Sequence, residues 1–233
     1  MTLGIQPSGP KCTHSLYNPA KIPNVYCSAL YAATSANITH PHIFRTYPSR
    51  GSALNPTIVE AICATMALPS HFAPVKIGPP RREQSFIGGA LGANNPTRLL
   101  LEEASVVFGK DRRVAQVLSL GCGLSRVLSV GSSDETDVHE LFRDISADCE
   151  AVVHELSTRL FNIDAYNRLN VDRGMEGIGM EHWNQLGDIE SHTAAYLATT
   201  MVSGAVENSQ KHLRERIATI TLGQISGYID NGT

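Results

Sequence analysis

Ser85-Phe86-Ile87-Gly88-Gly89-Ala90-Leu91-Gly92-Ala93-Asn94-Asn95-Pro96 is the stretch on which the fold assignment turns. Ser85 to Ile87 reads as a short strand. Gly88, Gly89 and Gly92 then supply a turn, because glycine accepts positive φ and lets another backbone approach closely. Asn94-Asn95-Pro96 reads as a helix start, asparagine capping and proline at an early helical position. The helix is predicted from Pro96 to Phe108, carrying Leu99, Leu100, Glu103 and Val107, and a strand from Val114 to Leu120 follows. The near-continuous apolar character of that strand suits one covered on both faces, as in a layered α/β sheet.

Working outward, a strand is predicted from Val25 to Ala33 and a helix from Pro56 to Met66, with Ile58, Ala61, Ile62 and Thr65 on one face. Val75 to Ile77 is a further short strand. Between Glu135 and Leu160 the apolar residues Val138, Leu141, Phe142, Ile145, Cys149, Val152, Val153, Leu156 and Leu160 recur at spacings of three and four. That pattern predicts one long or two consecutive amphipathic helices. A last helical region covers Ile189 to Ile220, with Gly204 as the candidate break. Thr2 to Asn24, rich in Pro, Gly, Lys and polar residues, reads as an irregular segment. The domain reading is therefore 1–24 irregular and 25–233 folded, with no internal repeat.

The chain has 233 residues, 42% hydrophobic and 18% charged, the balance of an ordinary globular domain. No apolar run reaches the roughly 18 residues of a membrane span, and no charged-then-apolar leader is present, so a cytoplasmic location is expected. A net charge of −3 gives no footprint for nucleic acid. The basic cluster of Lys211, Arg214 and Arg216 is interrupted by Glu215 and reads as a solvated helix face.

Five cysteines, Cys12, Cys27, Cys63, Cys122 and Cys149, lie far apart and predict reduced, mostly buried thiols rather than a disulfide framework or zinc site. Cys122, between two glycines after a strand, is the one that an exposed turn would activate. His40-Pro41-His42 offers two metal ligands without a third, and neither His139-Glu140 nor His154-Glu155 has a second histidine four residues on. Gly121-Cys122-Gly123 has Arg126 where a dinucleotide loop wants a third glycine, and no P-loop is present. Neither a metal nor a cofactor is expected.

The stretch at 85–96 resembles the segment that carries the catalytic aspartate in patatin-like lipid acyl hydrolases. That pattern reads apolar, apolar, Asp, Gly, Gly or Ala, a few residues, then Asn-Asn-Pro. Here Gly89, Ala90, Asn94, Asn95 and Pro96 are kept, and Gly88 stands at the place of the acid. Further pieces are similar to the family in its order: Cys27 to Ser35, Ile43 to Tyr47, Asn55 to Ala61, Pro69 with Phe72 and Pro74 to Gly78. Downstream come Val117 to Gly123, with Cys122 for a threonine, then Tyr166 to Asp172 and Trp183 to Tyr196. The match has a fungal character and spans about Tyr26 to Leu197.

The resemblance implies an α/β fold, a three-layer α/β/α patatin-like domain truncated of its first strands and of the Gly-x-Ser-x-Gly nucleophile elbow. No serine in the sequence has glycines two positions before and after it. A serine hydroxyl is a poor nucleophile without a base and oxyanion donors, and losing one part of that unit typically costs on the order of 10⁴-fold or more. The implied state is therefore catalytic silence. Glu83 and Asp111 are the nearest acids in sequence to Gly88, each several residues away. The partners implied are a lipid or acyl ester, or a protein or second copy meeting an open sheet edge, which Met1 to Asn24 would otherwise cover. Three readings follow: an inactive hydrolase with a lipid- or partner-facing surface, a non-catalytic interaction module, or an incomplete gene model lacking its elbow.

Overall fold

A computed structural model describes residues 29–34, 37–47, 54–69, 71–124, 145–146, 148–160, 165–179, 182–215, 218 and 220–226. The chain forms two compact units, one of residues 1–94 with 138–147 and the other of 95–137 with 148–233. Helices and small sheets make it mixed α/β, as the alternating pattern predicts. The segment read as irregular, 1–24, lies outside the described residues.

The first unit holds a four-stranded sheet in the order β2-β1-β4-β3. Its strands are β1 (Ala29–Thr34), β2 (Asn37–Arg45), β3 (Val75–Ile77) and β4 (Gln84–Gly88). Every pairing in it is antiparallel. β2 takes in Ile43 to Arg45, the first three residues of the segment Ile43 to Tyr47. Pro41 also lies within β2; proline donates nothing to a ladder, but this strand is at the edge of the sheet, where proline is tolerated.

Helix α1 (Ile58–Met66) starts at Thr57. The Thr57 hydroxyl accepts from the Glu60 amide at 3.2 Å, while the Glu60 carboxylate accepts from the Thr57 amide at 2.7 Å. This capping box satisfies two otherwise orphaned donors. The residues α1 buries are Ala61 and Ala64, whereas Ile58 and Ile62 of the predicted face are exposed. Small residues face the sheet because the helix lies close to it, which hydropathy alone does not report.

Phe44, Ala61, Ala64, Ile77 and Phe86 form the first core. The Phe44 and Phe86 rings meet edge to face at 5.1 Å, and the His42 ring packs on both, at 4.9 Å and 5.3 Å. Such tilted pairs add to plain area burial. The His42 Nε2 is buried without a hydrogen-bond partner.

In the second unit α3 (Thr97–Phe108) agrees with the prediction to within a residue and ends at Gly109, whose φ of 82° suits glycine. The single strand predicted from Val114 to Leu120 is two: β5 (Arg113–Val114) pairs antiparallel with β8 (Ile220–Thr221), while β6 (Val117–Leu120) pairs parallel with β7 (Tyr166–Leu169). The chain leaves one ladder for the other at Ala115-Gln116. Helix α4 (Glu150–Leu160) is the last part of the 135–160 pattern. It begins at Asp148, whose carboxylate accepts from the Glu150 and Ala151 amides at 3.0 Å and 3.3 Å. Val138, Leu141 and Phe142 lie outside the described residues.

The final helical region is α5 (Leu186–Leu197) and α6 (Thr200–Glu215), and the break falls at Ala198-Thr199, not at Gly204. The Thr199 hydroxyl donates to the Tyr196 carbonyl at 2.9 Å, satisfying an acceptor that the ended helix leaves open. A short α7 (Leu222–Ile225) follows β8. Leu101, Val117, Leu156, Leu160, Ala165, Ile220, Leu222 and Ile225 form the second core. The β6–β7 pair has helices on both faces. Val117 packs in the core that α3 and α4 share, while Asn167 on the opposite face bonds Ser209 and the Ala205 carbonyl of α6 at 2.8 Å and 3.2 Å.

A Cβ at Gly204 meets nothing within 4 Å, so Gly204→Ala is expected to raise stability by about 0.5–1 kcal/mol in urea denaturation. The His42 pKa is lowered, by burial first and by Arg45 second. Unfolded, this histidine titrates near its ordinary value of about 6.5 and takes up its proton before the folded form does. Its contribution is thus complete above about pH 6.5 and is lost as pH falls toward the folded value. His42→Phe should flatten this part of the stability curve, and equal slopes in both proteins would exclude the effect.

Candidate functional site

Gly88 ends β4, Gly89 precedes α2 (Ala90–Ala93) and Asn94 follows it, while Asn95 and Pro96 belong to the second unit. The motif therefore contributes to two separate packing environments.

At the first, the Gly88 amide donates to the Ala67 carbonyl at 2.9 Å. A Cβ built on Gly88 would lie 2.8 Å from the Thr65 carbonyl oxygen and 3.4 Å from the backbone at Ala67 and Leu68. Backbone has no rotamer by which to move aside. The volume that an aspartate would need at this position is filled by the end of α1, and its three nearest atoms are backbone atoms, with neither a carboxylate nor an imidazole among them. Glu83 is exposed in the loop before β4, and Asp111 lies in the second unit. Positive φ, expected of the turn glycines in general, occurs in this motif at Gly92, at 91°; Gly88 is glycine for the close approach instead.

At the second, Asn95 and Pro96 are buried and Asn94 is exposed. The Asn95 side-chain oxygen accepts from the Thr97 amide at 3.3 Å and from its hydroxyl at 2.6 Å, so asparagine does prime the start of α3. The Asn95 amide nitrogen donates to the Cys149 carbonyl at 3.4 Å. The Thr97 and Ser119 hydroxyls lie 3.3 Å apart, and Ser119 accepts from Arg168 Nη1 at 2.7 Å. With the Thr97 proton committed to Asn95 at the shorter distance, Ser119 supplies the proton between the two hydroxyls. The chain of donors runs one way, from Arg168 through Ser119 and Thr97 to Asn95.

This chain lies on one face of the parallel pair, where Ser119 and Arg168 are register partners and Tyr166 is two residues before Arg168. The Tyr166 hydroxyl is buried beside Ser119 and Asn95 without a well-formed hydrogen bond, and its pKa is raised, by burial before any opposing contact. Burial likewise raises the Cys149 thiol, against an opposing pull from Arg168. Sequence reading did not single out Ser119, Arg168 or Tyr166 individually; the adjacency of β6 and β7 was the missing signal.

At the carboxyl end of β6, Gly121-Cys122-Gly123 forms a turn with Cys122 exposed. Asn170 fastens it by accepting from the Gly123 amide at 2.7 Å, and the Asn170 amide donates to the Tyr196 hydroxyl at 3.1 Å. Cys63 is also exposed and Cys149 half-buried, so the expectation of mostly buried thiols fails for the described cysteines. They sit at a helix surface and a turn, where hydropathy is not the determinant. Among the described residues no three His, Cys, Asp or Glu side chains converge as metal ligands, and no helix is long and apolar enough to cross a membrane. His40 is exposed and His42 packs on phenylalanines, which separates their environments. Glu155 is ion-paired with Arg98 and, at 2.7 Å, with Arg159; His139 and Glu140 lie outside the described residues. Lys211, Arg214 and Glu215 are exposed on α6 as predicted, and Arg216 lies outside the described residues.

Comparison with protein-family models, curated proteins and solved structures gives no match.

Gly88→Ala should cost about 1–3 kcal/mol by overpacking against the end of α1. Urea denaturation against Gly177→Ala, whose Cβ meets nothing within 4 Å, separates this clash from the general effect of a methyl group.

Proposed function

We propose that this chain is a catalytically silent relative of the patatin-like lipid acyl hydrolases, its folded part a version of their three-layer domain. The observation that carries the reading is the packing at Gly88. A carboxylate there would have to enter space held by the Thr65 carbonyl and the backbone at 67–68, so the base position of the motif serves as a joint between α1 and β4. The resemblance at Asn95-Pro96 retains its structural half, a buried asparagine that starts α3. With no Gly-x-Ser-x-Gly serine in the sequence, ester cleavage lacks both its nucleophile and the acceptor for its proton.

A second reading, a non-catalytic module that meets a protein or lipid partner, is favoured by large apolar side chains left exposed around α5 and α6. Trp183 is 80% and Met201 88% accessible. Exposure of this kind is compatible with silence at Gly88.

The purified chain is expected to hydrolyse p-nitrophenyl esters and phospholipid vesicles no faster than a buffer blank. Gly88→Asp should leave that rate unchanged and lower stability, because an acid there displaces backbone before it meets a substrate. Hydrolysis by the wild-type chain well above the blank would defeat the proposal, and a gain of activity in Gly88→Asp would show that the position still addresses a working site.

A further inference from the structure

Arg168 is half-buried on β7, and among the described residues no carboxylate pairs with it. Withdrawing a guanidinium from water without an anion beside it is costly, so such groups are normally paired. One of its nitrogens is spent on Ser119, and its Nε is buried with no acceptor. The other terminal nitrogen reaches the turn after β6, where it would stand 2.8 Å from a Cβ on Gly121. The Asn170 side chain would come closer still to that Cβ, so glycine at 121 admits first Asn170 and then the guanidinium to the turn.

The turn itself is built from amides whose partners are known. Gly121 donates to Leu169, Gly123 to the Asn170 side chain and Leu124 to Val171, at 2.8, 2.7 and 3.0 Å. The Cys122 amide has no hydrogen-bond partner among the described residues, and Cys122 is exposed. A backbone donor without a partner thus belongs to the same turn that the guanidinium reaches, at the carboxyl end of a parallel strand pair, the end at which open α/β sheets place ligands. Two acids, Asp148 and Glu150, act on the neighbouring Cys149 thiol. Asp148 spends both carboxylate oxygens on the start of α4, and Glu150 is exposed. Neither is within ion-pair distance of Arg168. Tyr166, two residues before Arg168, likewise buries a hydroxyl that has no acceptor.

We propose that the Gly121-Cys122-Gly123 turn and Arg168 form a binding site for a phosphate-type oxyanion, carried by a soluble phosphate ester or by a lipid headgroup. The oxyanion accepts from the guanidinium and from the Cys122 amide, the pairing of planar cation and phosphate for which arginine is suited. Asn170 holds the turn in place, and Ser119 fixes the guanidinium at its buried side. The site stands on this geometry alone and does not require the family reading.

Titration of the ¹⁵N-labelled full chain with inorganic phosphate and with phenyl phosphate tests it. Saturable amide shifts centred on Gly121, Cys122 and Gly123 are expected, weakened at least about tenfold in Arg168→Gln and less in Arg168→Lys. Arg112→Gln, which removes an exposed charge stacked on Phe108, should leave them unchanged. If Arg168→Gln does not fold, Arg168→Lys and the location of the wild-type shifts carry the test, and saturable shifts centred away from the turn would overturn the site. Co-sedimentation with vesicles of phosphatidylcholine alone or with added phosphatidic acid distinguishes the sources: phosphatidic-acid-dependent binding lost in Arg168→Gln and reduced less in Arg168→Lys assigns the headgroup, and shifts without sedimentation assign a soluble ester. Linear, unsaturated shifts spread over surface lysines and arginines, or equal loss in Arg112→Gln, would overturn the proposal.

Discussion

The last turn of α1 rests on the end of β4 at a separation only glycine permits, and the arrangement of the first unit follows from that contact. The hydrogen bond from Gly88 to Ala67 and the nearness of the Thr65 carbonyl fix the helix on the sheet. Ala61 and Ala64 must then face inward, since larger side chains would hold the two backbones apart. The space left is filled by Phe44, Phe86 and the neutral ring of His42. One missing Cβ thereby sets a helix-to-sheet distance, and that distance selects the residues that can form the core.

The second unit solves a different problem, the burial of polar groups between packed layers. Ser119 is 1% and Asn95 5% exposed, positions where an unpaired polar atom costs about as much as a lost hydrogen bond. They are accommodated because each donor in the chain from Arg168 to the Cys149 carbonyl finds the next acceptor. On the other face of the same pair, Gln116 and Asn167 both donate to Ser209, whose own hydroxyl is 2.8 Å from the Ala205 carbonyl. Polar side chains on both faces tie β6 and β7 to α3, α4 and α6, where an apolar strand pair would rely on burial alone.

Local signals were legible in the sequence to the extent that local chemistry decides them. Helix α3, strands β3 and β4 and the region of α5 and α6 were readable because period, caps and turn residues act within a few positions. The break at Ala198-Thr199 was not, since Gly204 is the weaker helix former by propensity but the Thr199 hydroxyl closes the preceding helix. The division of 113–120 between two ladders was equally hidden. Strand partners such as Tyr166 and Ile220 are set by contacts far away in sequence, and hydropathy reads the same for either pairing.

The candidate site was half legible in the same sense. Gly88 drew attention through the residue it lacks, and the reason it lacks it is the backbone at the end of α1, which no local pattern around Gly88 reveals. Asn95 was read as a helix start, which it is, but its buried oxygen also anchors a hydrogen-bond chain whose far end is a cation on another strand. A motif that looks like one catalytic feature in sequence therefore divides in space into a packing joint and a polar anchor. These roles make different demands. The joint excludes any side chain at 88, whereas the anchor needs an amide at 95 with both its donor and its acceptor used. The absence of an acid at the first position leaves the second intact, because the forces that hold Asn95, namely the start of α3 and the Cys149 carbonyl, owe nothing to proton transfer at Gly88.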